Sequence, residues 1–152
     1  MTTTLYVLGT LGLLTLGWVG LIYFGGTARF GRAQTQAWID AIAAHPLGRP
    51  FGPLLNAMHG GLRASTHYIE FAGLCLLTAG VATLGTFRLG DYLPWAFLSF
   101  GITCMVAWLD ELHQSRTPGR QFRRIDFMHS LAGASLMFIV LLLIDLYRIP
   151  AP

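Results

Sequence analysis

The sequence predicts an all-α, polytopic membrane protein: four transmembrane helices, with an interfacial helix and a loop between the first and second. Three observations predict it. Hydrophobic residues make up 54% of the 152 residues and charged residues 11%, against about 25% charged in a typical soluble domain. Mean hydropathy is +0.57. The apolar residues are gathered into four runs, each close to the ~20 residues a helix needs to cross a bilayer core. So few charges cannot cover the surface of a soluble enzyme of this size, and a disordered tail would not be this apolar. All ten basic residues are arginine and the net charge is +3. These arginines sit between apolar runs rather than on a basic face, which removes nucleic acid as a partner and leaves the bilayer.

The first run, Leu5–Phe24, carries no charge. A signal peptide would need a basic n-region, which Met1–Thr4 lacks, and a shorter apolar core. A spanning helix is the expectation, with cleavage near Gly25-Gly26-Thr27-Ala28 as the alternative. Leu62–Leu84 is the second run, Tyr92–Leu109 the third, entered through Pro94-Trp95, and Met128–Leu146 the fourth. Tyr6, Trp18, Tyr23, Tyr92, Trp95 and Tyr147 lie near the expected ends, as interfacial aromatics do; Trp108 is placed either there or in the polar site described below. Between the first two runs, Ala33–Ala44 places Trp38, Ile39, Ile42 and Ala43 at helical spacing, which suggests a short helix in the interface. His45–Pro53, rich in Pro and Gly, reads as a loop. Cys75 and Cys104 lie inside apolar runs, where buried thiols are expected rather than a disulfide. The chain forms one integral membrane domain, 1–152. Counting arginines puts the two longer loops in the cytoplasm, against only Arg88 and Arg148 on the other side.

The scarce polar groups converge. The second helix enters from the long-loop side carrying Arg63, His67 and Glu70, the last two at i,i+3 on one face. The third helix leaves toward that side through Asp110, Glu111, His113 and Gln114, and the fourth starts there with Asp126, His129 and Ser130. Helix direction alone brings these groups to one end of the bundle. Glu70 sits inside an apolar run, so it should face protein or water and find a partner among Arg63, His67 and the later arginines. Its alternative role is a buried pair that only fixes helix packing. Asp110-Glu111, followed by Pro118-Gly119-Arg120, puts adjacent acids beside an arginine fork suited to phosphate or carboxylate. Close acids can be separated into an acid and a base. Arg123 and Arg124 read as ordinary juxtamembrane arginines. Two N,O pairs, His67-x-x-Glu70 and Asp126-x-x-His129, with Glu111 nearby, keep a metal site open as an alternative, but the pattern is weak and no cofactor is assigned. His59, in Met58-His59-Gly60-Gly61, reads as a loop histidine, and His45 has no role. Neither a GxSxG motif nor a base beside either cysteine supports acyl-enzyme chemistry.

His67-Tyr68-Ile69-Glu70-Phe71, Asp110-Glu111-Leu112-His113-Gln114, Pro118-Gly119-Arg120 and Asp126 with Gly133 resemble the VanZ-like family of small bacterial membrane proteins. The resemblance spans the second through fourth helices. Arg116 stands where that family usually has an aromatic, and Ser130 where it commonly has asparagine. The resemblance implies the bacterial inner (cytoplasmic) membrane and the cell envelope, and a link to resistance against teicoplanin, a lipidated glycopeptide antibiotic.

The expected partner is a membrane lipid or lipidated small molecule. In a binding reading, Arg63 and Arg120 hold an anionic head group and Glu70 and Glu111 orient them. In an enzymatic reading, a hydrolase or transferase acts on a phospholipid or polyprenyl phosphate: Glu111 or Asp110 is the base, His67 or His113 the acid, and Arg120 neutralises developing charge. A third reading is a structural subunit of a membrane complex. The candidate catalytic groups are thus Glu70, Asp110, Glu111 and His67. The candidate substrate-binding groups are Arg63, His113, Gln114, Arg120, Asp126 and His129, and no metal ligand is assigned.

Overall fold

Long apolar runs leave the backbone to satisfy its own polar groups within each segment, and the chain does so as helix. The computed structural model describes residues 2–85 and 92–147, and all regular structure in them is helical. Helix α1 spans Thr2–Gly25, α2 Arg32–Ala44, α3 Gly52–Gly85, α4 Tyr92–Arg116 and α5 Arg124–Leu146. Short 3₁₀ turns at Ala28–Phe30 and Arg49–Phe51 flank α2. Four of these helices are long and apolar enough to cross a membrane, which fits a multi-pass membrane protein. Their outward side chains agree: Leu13 is 72% and Leu16 70% exposed on α1, a surface lipid tails tolerate and water does not. Hydroxyls inside the apolar helices turn back onto their own backbone, as Thr103 does to the Ser99 carbonyl at 2.7 Å.

The second helix is longer than the hydropathy pattern predicts. It starts at Gly52, not at Leu62, so much of the expected 25–61 connection is helical and the loop shortens to the turns over His45–Phe51. Pro53 is tolerated because it falls in the first turn. Gly60 and Gly61 weaken a helix by about 1 kcal/mol each relative to alanine, but packing against α2 overrides them: His59 bonds Thr35 across 2.8 Å, and Gln36 donates to Asn56. At 34 residues α3 is ~51 Å long, more than the ~30 Å of a hydrocarbon core.

The frame is α3 packed on α5 and α4, with α1 laid against α3 and α2 against the early turns of α3. Phe71, Leu74, Ala107 and Ala134, joined by Ile22 from α1, form the core below the polar end; Cys75, Ala79, Ala96 and Leu141 form a second cluster further along. Both cysteines are free thiols. Trp18, expected as an interfacial aromatic, turns onto α3. Its indole donates to the Glu70 carbonyl at 2.7 Å and its ring lies over Gly73. Trp108 stays about half exposed against Phe122 and Phe127. Arg88, Arg148, the Tyr92 side chain and, beyond Gly85, the expected Gly85–Asp91 turn lie outside the described residues.

α5 meets α3 closely at Gly133, where a Cβ would stand 2.3 Å from the Tyr68 carbonyl oxygen, a backbone atom with nowhere to go. Small residues at such crossings let two backbones approach. Gly133→Ala should therefore cost about 1–3 kcal/mol by overpacking, read as a lower thermal midpoint in detergent. Gly101→Ala, where a Cβ meets nothing within 4 Å, should be neutral or slightly stabilising.

Candidate functional site

The polar end of the frame holds a cavity of about 360 Å³ between the end of α1, α2, the middle of α3 and the end of α4. Its lining joins polar Arg63, His67, Glu70, Asp110, Gln114 and Arg120 to apolar Ile22, Phe30, Trp38, Ile39, Ile42 and Leu62. Each polar group arrives for a local reason. On α3, the spacing of Arg63, His67 and Glu70 keeps all three on one stripe. On α4, Asp110 and Gln114 are one turn apart, and Gln114 Nε2 donates to Asp110 Oδ2 at 2.7 Å. Arg120 is brought back by the turn Thr117-Pro118-Gly119-Arg120, closed by Arg120 N–H donating to the Thr117 carbonyl at 3.0 Å. Pro fits its second position, and Gly119 supplies the positive φ (77°) its third position demands. Arg120 Nη2 then donates to Gln114 Oε1 at 2.5 Å, while its buried Nη1 has no partner. Burial holds the Arg120 guanidinium below its ordinary pKa, with the Arg63 charge acting the same way against Asp110, Glu111 and Asp126. An anion at this position would relieve both effects.

Behind the cavity lies a second polar layer organised by Asp126, which sits in the first turn of α5 where the helix dipole favours a carboxylate. Its Oδ2 takes Arg63 Nη2 at 3.4 Å and Arg123 Nη1 at 3.2 Å, and lies 3.9 Å from His67 Nε2. Arg63 also donates through Nη1 to the Phe30 carbonyl at 3.2 Å, tying the turn after α1 to α3. Glu111, 1% exposed, accepts the N–H of Arg123, the N-cap residue of α5, at 3.0 Å. Among the described residues, all ion pairs go to Asp126. The expected partner for Glu70 is therefore not there: its carboxylate faces the cavity with no cation in contact, because Arg63 and Arg123 are drawn to Asp126.

Of the candidate catalytic groups, His67, Glu70 and Asp110 line the cavity, and Glu111 is buried behind it. Of the candidate binding groups, Arg63, Gln114 and Arg120 line it. His113 lies beside it, stacked on Tyr23 with ring centroids 4.1 Å apart. Asp126 belongs to the rear layer. His129 stands apart, packed on Tyr68 with centroids 5.2 Å apart, so the two N,O pairs considered for a metal do not close on one point. The donors that do approach one another are His67, Asp110 and Glu111, each with a ligand atom within 4.8 Å of the others. His59 is helical and 7% exposed, and lines the cavity rather than a loop. Sequence reasoning also missed α1: Gly26 is buried so close to Asp110 Oδ1 that a Cβ would stand 2.9 Å from it. The paired glycines Gly25-Gly26 were the available signal. No protein-family model, no curated protein and no solved structure matches the chain.

Removing the Asp126 charge leaves Arg63, at 16% side-chain exposure, without a counter-ion. Breaking one partner of a buried pair costs about 3–5 kcal/mol. Asp126→Asn should accordingly lower the unfolding free energy in detergent by ~3 kcal/mol, whereas Asp40→Asn on the outer face of α2 should change it by less than ~0.5 kcal/mol.

Proposed function

We propose that this chain is a VanZ-like multi-pass protein of the bacterial cytoplasmic membrane that binds an amphiphilic lipid or lipidated molecule. The cavity takes the anionic head group at Arg120 and Arg63, and the acyl portion lies along Trp38, Ile39, Ile42 and Ile22. The observation that carries this reading is the mixed lining: the same cavity is bordered by Arg63, Glu70, Asp110 and Arg120 and by Ile22, Trp38, Ile39 and Ile42. The unpartnered Arg120 Nη1 adds to it, since a buried guanidinium nitrogen without an acceptor is costly until an anion arrives. In this reading α2 lies in the interface, and the resemblance to the VanZ-like family makes teicoplanin one candidate occupant.

The test is lipid retention. Protein purified in mild detergent is offered phosphatidylglycerol and phosphatidylcholine, and bound lipid is counted by native mass spectrometry. Phosphatidylglycerol should be retained preferentially. Arg120→Lys should weaken it at least tenfold, about 1.4 kcal/mol, because the planar fork is lost, and Arg120→Gln should weaken it further. Teicoplanin should displace the lipid and its deacylated form should not. Equal retention by wild type and both Arg120 variants would remove the head-group assignment and favour a structural subunit.

A second reading rests on a different observation: Asp110 and Glu111 each keep a buried oxygen without a hydrogen bond, close to His67. A hydrolase or transferase acting on a phospholipid or polyprenyl phosphate would use such groups as base and acid. Incubation with either lipid should then yield a product by mass spectrometry, and Asp110→Asn should reduce its rate by about 10²-fold or more. Lipid bound but never converted counts against this second reading alone.

A further inference from the structure

Asp110, Glu111 and His67 are 8%, 1% and 6% exposed. Two adjacent carboxylates buried this far in an apolar bundle are unfavourable unless something positive stands between them. No guanidinium group makes a direct contact with either carboxylate among the described residues. Arg63 and Arg123 close on Asp126, and the Arg120 contact goes to the Gln114 amide. Among the described residues neither Asp110 nor Glu111 has a salt bridge, and Asp110 Oδ1 and Glu111 Oε1 have no hydrogen-bond partner.

What each side chain does with its other polar atom matters as much. Asp110 Oδ2 accepts from Gln114 Nε2 at 2.7 Å, Glu111 Oε2 accepts from Arg123 N–H at 3.0 Å, and His67 Nδ1 meets Ser130 Oγ at 3.3 Å. Asp110 and Glu111 are thus each oriented through one oxygen and keep the other unpartnered. His67 is oriented through Nδ1, while its Nε2 has only the long 3.9 Å contact to Asp126 Oδ2. Supporting hydrogen bonds of this kind prepare metal ligands. We propose that His67, Asp110 and Glu111 together bind one divalent transition-metal ion, of the zinc or manganese class, at the inner wall of the cavity. One imidazole nitrogen with two carboxylate oxygens suits these ions. It is too nitrogen-rich for calcium or magnesium, and without thiolate it does not favour copper(I). Three protein donors leave a coordination position open, and His67 and Asp110 border the cavity from which it would be filled. The ion's charge offsets two acids that no arginine side chain contacts directly. This site stands on donor geometry and does not depend on what the cavity binds.

The experiment uses the full chain in detergent, stripped with chelator, dialysed, and titrated with Zn²⁺ or Mn²⁺ alone by calorimetry, with metal content measured in parallel. One equivalent per chain is expected, with the two ions competing. Co²⁺ should give visible absorption bands that Zn²⁺ bleaches. His67→Gln, Asp110→Asn and Glu111→Gln should each weaken binding at least tenfold, while His45→Gln, on an exposed turn, should not. Gln114→Ala removes only the amide that orients Asp110 and should weaken binding by about 10- to 100-fold. It serves where a ligand variant does not fold, as judged by circular dichroism. Less than one equivalent, or one equivalent that none of the four site substitutions weakens, overturns the proposal. Metal binding without lipid retention would sink the lipid reading alone, and lipid retention without metal would sink this one alone.

Discussion

The arrangement depends on how one carboxylate spends the available positive charge. Asp126 Oδ2 draws in Arg63 from α3, Arg123 from the turn before α5 and, at longer range, His67. In a low-dielectric bundle such contacts are held firmly, since losing one strands its partner. The pairs tie α3 to α5 at the same end where Gly133 lets their backbones meet. Having spent two arginines there, the chain leaves Glu70, Asp110 and Glu111 without direct counter-ions. The carboxylates without a contacting cation, at the cavity and behind it, are what that allocation leaves.

Around this charged frame the cavity takes most of its polar and most of its apolar lining from different elements. α3, α4 and the turn through Gly119 supply charged and amide groups; the end of α1 and the inner face of α2 supply aromatic and branched aliphatic ones. Arg63 reaches both, holding Asp126 with one nitrogen and the Phe30 carbonyl with another. A single side chain therefore sets the distance between the polar wall and the turn that begins the apolar one.

The four long helices and the pooling of polar groups were legible because charge is so scarce in this chain that position along each helix nearly settles where a charged group must go. Asp110, Gln114 and Arg120 could be placed together from the Pro118-Gly119 turn and helix direction alone. What could not be read were contacts between apolar faces. Nothing in the run Leu5–Phe24 says that Trp18 will reach the Glu70 carbonyl, because an all-apolar helix has no periodicity to orient it. The early start of α3 was hidden by Gly60 and Gly61, whose low helix propensity is overridden by α2. Glu70 was expected to find an arginine because pairing was judged by supply; the competition from Asp126 is visible only in three dimensions. His59 was misplaced for the same reason as α3.

The outer pair of elements is attached to this frame very differently from the way the frame is held to itself. Trp18 to the Glu70 carbonyl, Arg63 to the Phe30 carbonyl, Thr35 to His59, Gln36 to Asn56 and the Tyr23–His113 stack are the polar and ring contacts that cross from α1 and α2. Each hydrogen bond is worth about 1 kcal/mol, and no salt bridge crosses that seam among the described residues. Swinging α1 and α2 outward would leave every buried charge pair closed, but it would also draw Ile22 from the core and Trp18 off Gly73. The molecule thus joins a charge-paired frame to outer elements that neutral hydrogen bonds, a ring stack and apolar packing hold in place.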